Sequence, residues 1–205
     1  MSKKLMRIRT SRGLVSLAAV ILATLAMTSC GDVARTGRAP VLLVVEGLLA
    51  GTPSTAFLNS DVVKNPCVAP AAPCPSVFND SGSATLNAVL KDFTLAPSTN
   101  NDVTITRYHV EYRRADGHNT PGVDVPFPFD GAATGTIIVG SPTSLGFELV
   151  RHTAKLESPL IQLRADAHII STITSVTFYG TDRVGNDVAA TGSITIEFAD
   201  FGDTP

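Results

Sequence analysis

Three cysteines and four histidines are the first side chains to test for metal binding or nucleophilic chemistry. The histidines, His109, His118, His152 and His168, are scattered along the chain. None falls in a His-Glu-x-x-His pattern or sits beside a cysteine at zinc-ligand spacing. His109 alternates with Arg107, Glu111 and Arg113, the pattern of a solvated strand face. There is no Gly-x-Ser-x-Gly elbow and no phosphate loop, and Gly140-Ser-Pro-Thr-Ser reads as a loop. Paired carboxylates of the glycosidase type need no linear motif, but the chain lacks the size and the βα loops that usually hold them. Oxygen ligands cluster at Asp182, Asn186 and Asp187, a candidate Ca²⁺ set. The same residue types also serve a turn directly, and that reading is preferred. No catalytic residue and no cofactor is assigned. The sequence reads as a non-enzymatic protein, with a small hydrolase of dispersed site as the alternative.

The first cysteine, Cys30, closes a different pattern. Lys3, Lys4, Arg7, Arg9 and Arg12 form a basic start, and an apolar run from Leu14 to Ser29 follows. A basic region, an apolar stretch and small residues before a break mark a secretory signal peptide. The run is shorter than the roughly 20 residues of a spanning helix. Met27-Thr28-Ser29-Cys30 resembles the lipobox of bacterial lipoproteins, with Met27 where Leu is usual. The resemblance implies a diacylglyceryl thioether on Cys30, cleavage before it, and acylation of the new amino group, palmitate included. Gly31 stands where enteric lipoproteins kept at the inner membrane carry Asp, which implies the outer membrane. Lipid chains contribute about 0.8 kcal/mol per buried CH₂, and two or three on one cysteine give stable anchoring.

Loss of residues 1–29 removes five positive charges and leaves 11 Lys+Arg against 18 Asp+Glu, a formal charge of −7. An acidic chain with dispersed cations does not suit nucleic acid, which needs a basic patch. About 175 residues suit one domain with a real core. With Cys30 lipidated, Cys67 and Cys74 remain as a pair. In an oxidising compartment they are expected to form a disulfide. Their spacing is not Cys-x-x-Cys, and the residues between hold no histidine, so redox and metal roles recede.

These residues must be positioned by strands. Residues 30–40 read as a tether, reaching at most about 35 Å. Val41 to Leu49 is a near-continuous apolar run, expected as a first strand buried on both faces. Residues 51–81 carry five prolines and read as a long loop, with a short strand or helical turn over Thr55 to Val63 as the alternative. Ser83 to Lys91 alternates, with Leu86, Ala88 and Leu90 on one parity. In Asp102 to Arg114, Val103 and Ile105 fall on the opposite parity from Tyr108, Val110 and Tyr112, so a bulge near Thr106 is predicted. Val123 to Asp130 is predicted as an edge strand whose Pro126 and Pro128 face one edge. Gly135 to Val139 is a further short strand, and Phe147 to Leu156 fits either helix or strand and is taken as strand. Ile169 to Gly180 and Val188 to Phe198 form a long hairpin across a turn at 181–186. Val188, Ala190, Ile194, Ile196 and Phe198 share its core face.

Two stretches sharpen the architecture. Ile105-Thr-Arg-Tyr108-His-Val110-Glu-Tyr112 resembles the third strand of fibronectin type III modules. Asp182-Arg-Val-Gly185-Asn186 looks like the last hairpin of bacterial immunoglobulin-like modules. The chain has no tryptophan, which true fibronectin modules usually place in the second strand. The reading is an all-β, immunoglobulin-like antiparallel sandwich of about seven strands over residues 41–203. Loops on a rigid sandwich are its usual binding surface. The expected function is therefore binding or scaffolding of a protein or a surface glycan at the cell envelope. The membrane is a partner through Cys30, and the candidate binding loops are 51–81 and 116–130.

Overall fold

The computed structural model describes residues 37–51, 53–64 and 76–201, so Cys30, Cys67 and Cys74 lie outside the described residues. The chain divides after Ala39, and the compact unit from Pro40 onward holds all the strands.

A bulge at Thr106 sets the register of the larger sheet. Strand β4 (Val103–Arg113) pairs with β5 (Phe129–Ile137) and β7 (Ile170–Asp182), and both pairings shift between Ile105 and Arg107. The extra residue reverses the parity of the strand. Val103 and Ile105 before it, and Tyr108, Val110 and Tyr112 after it, therefore all enter one core. Opposite the bulge stands Gly180, where a Cβ would lie 2.4 Å from the Thr104 carbonyl oxygen. The backbones approach too closely there for any side chain.

Around β4 the sheet runs β2-β8-β7-β4-β5, with β2 at Phe57–Asp61 and β8 at Asp187–Ala199. The facing sheet runs β1-β3-β6, from Val41–Ala50, Asp80–Leu90 and Thr143–Val150. Lettered in chain order, these are A-B-E against C′-C-F-G, with β2 added beside G, an immunoglobulin-like sandwich. The sandwich thus has eight strands, one more than expected, and β2 pairs with β8 in parallel. The short strand in Thr55 to Val63, held above as the alternative to a continuous loop, is the observed one.

Three expectations are corrected. β1 is not buried on both faces: Val41 and Leu43 are in the core, while Leu42 and Leu49 are exposed. It is an edge strand with a bulge between Val45 and Gly47, and on either side of that bulge Val45 and Leu48 lean onto Gly192 of β8. Val123 to Asp130 is not an edge strand. The N–H groups of Val123 and Asp124 turn back to the Thr120 carbonyl, and that of Gly122 to Val125. With Pro126 and Pro128 lacking donors, pairing starts only at Phe129. Phe147 to Leu156 is strand only to Val150. A 3₁₀ turn, His152–Leu156, follows, and a second spans Leu160–Ala165. Both periodicities fitted because the boundary falls inside the stretch.

The hairpin of β7 and β8 is as read. Val188, Ile194, Ile196 and Phe198 are buried, and Thr195 is exposed. Two tyrosines of β4 tie the sheets together. Tyr112 Oη donates to the Leu149 carbonyl at 2.7 Å, and Tyr108 Oη accepts from the Glu148 N–H at 3.1 Å. Their rings pack edge-on against Phe147 and Phe198, and Phe147 packs in turn on Phe178. Burial pushes both phenol pKa values up. This cluster fills a core that has no tryptophan.

The registers also define two ends. Val41, Leu90, Val103, Ile137, Thr143 and Asp182 lie at one, where the Lys91 N–H donates to the Pro40 carbonyl. This is the tether end. Asp61, Asp80, Arg113, Phe129, Val150 and Ile170 lie at the far end.

Candidate functional site

Four connections leave the far end: 51–56, the one from Asp61 to Asp80, 114–128 and 151–169. The second of the two loops singled out in the sequence and the described stems of the first, at Asp61 and Asp80, therefore lie at this end. A cleft of about 300 Å³ opens between the end of β4 and the 114–128 connection. Pro121, Pro126 and Pro128 form walls, Tyr112 closes one side, and Glu111, Arg113 and Asn119 supply polar groups. Arg113 donates through Nε and an Nη to Glu111, so the rim charges are internally matched.

The loop that carries the cleft is held by its own side chains. Asn119 Oδ1 accepts the Arg114 N–H at 2.6 Å, and Asp124 accepts the Thr120 N–H at 3.0 Å. Asp116 takes the Arg114 guanidinium and the His118 N–H. Those bonds hold the Asp116 carboxyl below its ordinary pKa, the Arg114 bond foremost. The Thr120 N–H does the same for Asp124. Gly122 sits at φ 76°, with the Phe127 ring 2.4 Å from where a Cβ would be. Val125 and Pro126 are buried, while Val123 and Phe127 point to solvent.

Beside the cleft connection, the 3₁₀ turns cap the far end with Ala154, Leu160 and Leu163 buried. Within that cap lies a constellation that no spacing announced. Lys155 Nζ is 2.8 Å from Asp80 Oδ2, and Ser60 Oγ donates to the same oxygen at 2.6 Å. Ser60 and Lys155 are fully buried. A buried Lys–Asp–Ser set has the residue types of a hydrolase. Here both polar groups are directed at the carboxylate and away from solvent, so the geometry is that of a buried ion pair.

The histidines are not gathered. His109 on β4 contacts Asp130 at 3.2 Å, on the outer face of the five-stranded sheet. Asp130 also takes Arg107, which lies over the Tyr179 ring. Across the same row, Thr177 and Thr191 bond to each other at 2.8 Å. Asp130, His109 and Thr177 thus stand in line on an open, flat face. His118 and His168 pair locally with Asp116 and Asp166, and His152 is exposed. Among the described residues, no group of three His, Cys, Asp or Glu is placed to hold a metal.

The Ca²⁺ candidate resolves into a turn. Asp182 Oδ1 accepts the N–H groups of Val184 and Asn186, and Oδ2 accepts the Asn186 amide. The carboxylate is buried and its lone pairs face its own turn. Among the described residues, no helix is long and apolar enough to cross a membrane.

Neither a protein-family model nor a curated protein sequence matches the chain. The solution structure of a protein described as late embryogenesis abundant (LEA) aligns over 97% of this chain and 95% of its own. Its identity is 9% and its TM-score 0.43.

Proposed function

We propose that this is a lipid-anchored protein of the cell envelope, held at the outer membrane through Cys30, whose far end binds a partner protein. One observation carries the reading: the 114–128 connection and its cleft lie at the end of the sandwich opposite Pro40. A tether at one end of a sandwich leaves the other free to present a site. The cleft there is pre-formed by internal hydrogen bonds, so little ordering entropy would be lost on binding. Its proline walls and the exposed Val123 and Phe127 suit a polypeptide segment better than a sugar, whose hydroxyls need more polar partners. A surface glycan is the alternative ligand. The molecule is read as a binder and not a catalyst. The alternative, a small hydrolase, has the Asp130–His109–Thr177 row as its best-placed residues, but that row lies on the outer face of the sheet, where its bonds are exposed to water.

The anchor and the site are tested separately. Metabolic labelling with a clickable fatty acid should mark the wild type and not Cys30→Ala. Continued labelling of the variant would reject the anchor. A photo-crosslinking residue at Phe127 should trap a protein adduct in intact cells, whereas one at Thr191 on the sheet face should not. Equal adducts from both positions, or a sugar adduct alone, would reject the protein-binding reading.

A further inference from the structure

Three connections meet at the tether end: 91–102, 138–142 and 183–186. Two of them are joined to each other, one of these to the chain's point of arrival, and the third to β3. The Lys91 N–H donates to the Pro40 carbonyl, the Gly140 N–H donates to Ala88 at 2.8 Å, and Arg183 pairs with Asp102 at 3.2 Å. Each connection holds an apolar side chain out to solvent. Phe93 is 94% exposed, Val184 66%, Leu95 58% and Ile138 57%. Single exposed apolar residues are ordinary on a protein surface. Here they occupy the tips of three different loops at one end.

The tips are also built to stay outward. Asp92 Oδ1 accepts both the N–H and the hydroxyl of Thr94, at 2.9 and 2.6 Å, closing a tight turn with Phe93 at its crest. Those bonds lower the Asp92 pKa, so the turn is held at neutral pH. Asp182 closes the turn that carries Val184, accepting its N–H at 3.0 Å. At the third tip, the Ser141 N–H returns to the Ile138 carbonyl at 3.0 Å. These bonds fix the backbone of each turn, and the apolar side chains they carry stand in solvent.

We infer that the tether end is a membrane-docking face, on which Phe93, Leu95, Ile138 and Val184 enter the interfacial layer of the bilayer. The inference rests on the lipid-anchor reading of Cys30. The tether of ten residues then holds Pro40 within about 35 Å of the lipid, and this end is the one that faces it. Charges of both signs surround the tips: Lys91 and Arg183 against Asp92, Asp102 and Asp187. The attraction is therefore apolar and interfacial, and does not depend on anionic headgroups. Docking fixes the sandwich upright, with the far-end cleft directed away from the membrane.

The chain has no tryptophan, so a single introduced one reports its own surroundings. The mature lipidated protein carrying Phe93→Trp, Val184→Trp or, as the far-end control, Phe127→Trp is reconstituted into phosphatidylethanolamine–phosphatidylglycerol vesicles. Flotation of the vesicles reports the anchor. Emission maximum and quenching by acyl-chain-brominated lipid report the docking. The expected result is flotation of all three, with blue-shifted and quenched emission at positions 93 and 184 and neither at 127. Flotation without quenching at 93 and 184 overturns the docking face and leaves the anchor standing. Equal quenching at 127 overturns it too, because no end is then preferred. Protein left in the aqueous phase overturns the anchor and the docking face together.

Discussion

Lys155 Nζ lies 2.8 Å from Asp80 Oδ2, and the lysine side chain is 2% exposed where the aspartate is 19% exposed. The pair joins the 3₁₀ cap to the start of β3, and Ser60 extends it to the end of β2. The unequal burial predicts unequal costs. Asp80→Asn leaves a buried ammonium without its counter-charge and should destabilise the domain by about 3–5 kcal/mol. Lys155→Met leaves a carboxylate that water and Ser60 still reach, and should cost less. The double variant Asp80→Leu, Lys155→Met should recover much of the loss, since apolar replacement of a whole buried pair is often neutral. Urea denaturation of all three variants checks this. A larger cost for Lys155→Met than for Asp80→Asn would contradict the assigned burial.

In the β7–β8 hairpin, Ile173 pairs with Thr195 and Thr172 with Ile196. Ile196 is fully buried. Ile196→Ala should therefore destabilise by about 2–5 kcal/mol through lost burial and the cavity left behind. Thr195→Ala, on the outer face, should change stability by less than about 1 kcal/mol. The contrast is the sensitive quantity, because a slip of one residue would invert it. Chemical denaturation of wild type and both variants measures it, and a larger cost for Thr195→Ala would refute the register.

The hairpin was legible because thirteen-residue strands repeat their period many times, and the Thr106 bulge because two apolar parities met in one strand. Both are local statements about side-chain alternation. The Lys155–Asp80–Ser60 set was not legible for the converse reason. Its members come from three elements far apart in sequence, and a lone lysine in a stretch of ambiguous period carries no sign of burial. Loop 114–128 misled in a third way. Val123, Val125, Phe127 and Phe129 alternate like a strand, but Pro126 and Pro128 remove the donors a ladder needs, and Thr120 offers its carbonyl to the preceding N–H groups. Only Val125 and Phe129 of the four are buried. The far-end location of the cleft could not be read at all, because it follows from sheet topology.

Asp116 and Asp124 titrate below the ordinary value of 3.8. For Asp116 the first cause is the Arg114 guanidinium, and for Asp124 the Thr120 N–H. A carboxylate whose folded pKa is depressed stabilises its fold above the unfolded pKa, and that contribution is lost as pH falls through the folded pKa. The window therefore lies below about pH 4. Both groups are exposed, so the loop that walls the cleft should loosen while the sandwich persists. In an NMR titration the amide shifts of His118 and Thr120 should move with midpoints below 3.8, and those of β7 and β8 should not follow. Midpoints above that value would contradict the bonding that holds the cleft.

The last expectation concerns Cys67 and Cys74. Their flanks are in place: the Lys64 N–H donates to the Ser76 carbonyl at 2.8 Å, in an antiparallel bridge that draws the two ends of the segment together. Cys67 follows one stem by three residues and Cys74 precedes the other by two. A disulfide requires Cα atoms within roughly 7 Å, and the paired stems hold the two ends of the segment together. An oxidising compartment would then close the bond. Closing this short loop would remove roughly 2.5 kcal/mol of unfolded-state entropy on the chain-entropy model. Alkylation of the unreduced mature protein followed by mass spectrometry should find neither cysteine modified, and both modified after reduction. The double variant Cys67→Ala, Cys74→Ala should lower the urea midpoint, and reduction of the wild type should lower it equally. Two alkylated cysteines before reduction would reject the disulfide. An unchanged midpoint in the variant would show that the bond, though formed, lies outside the cooperative unit.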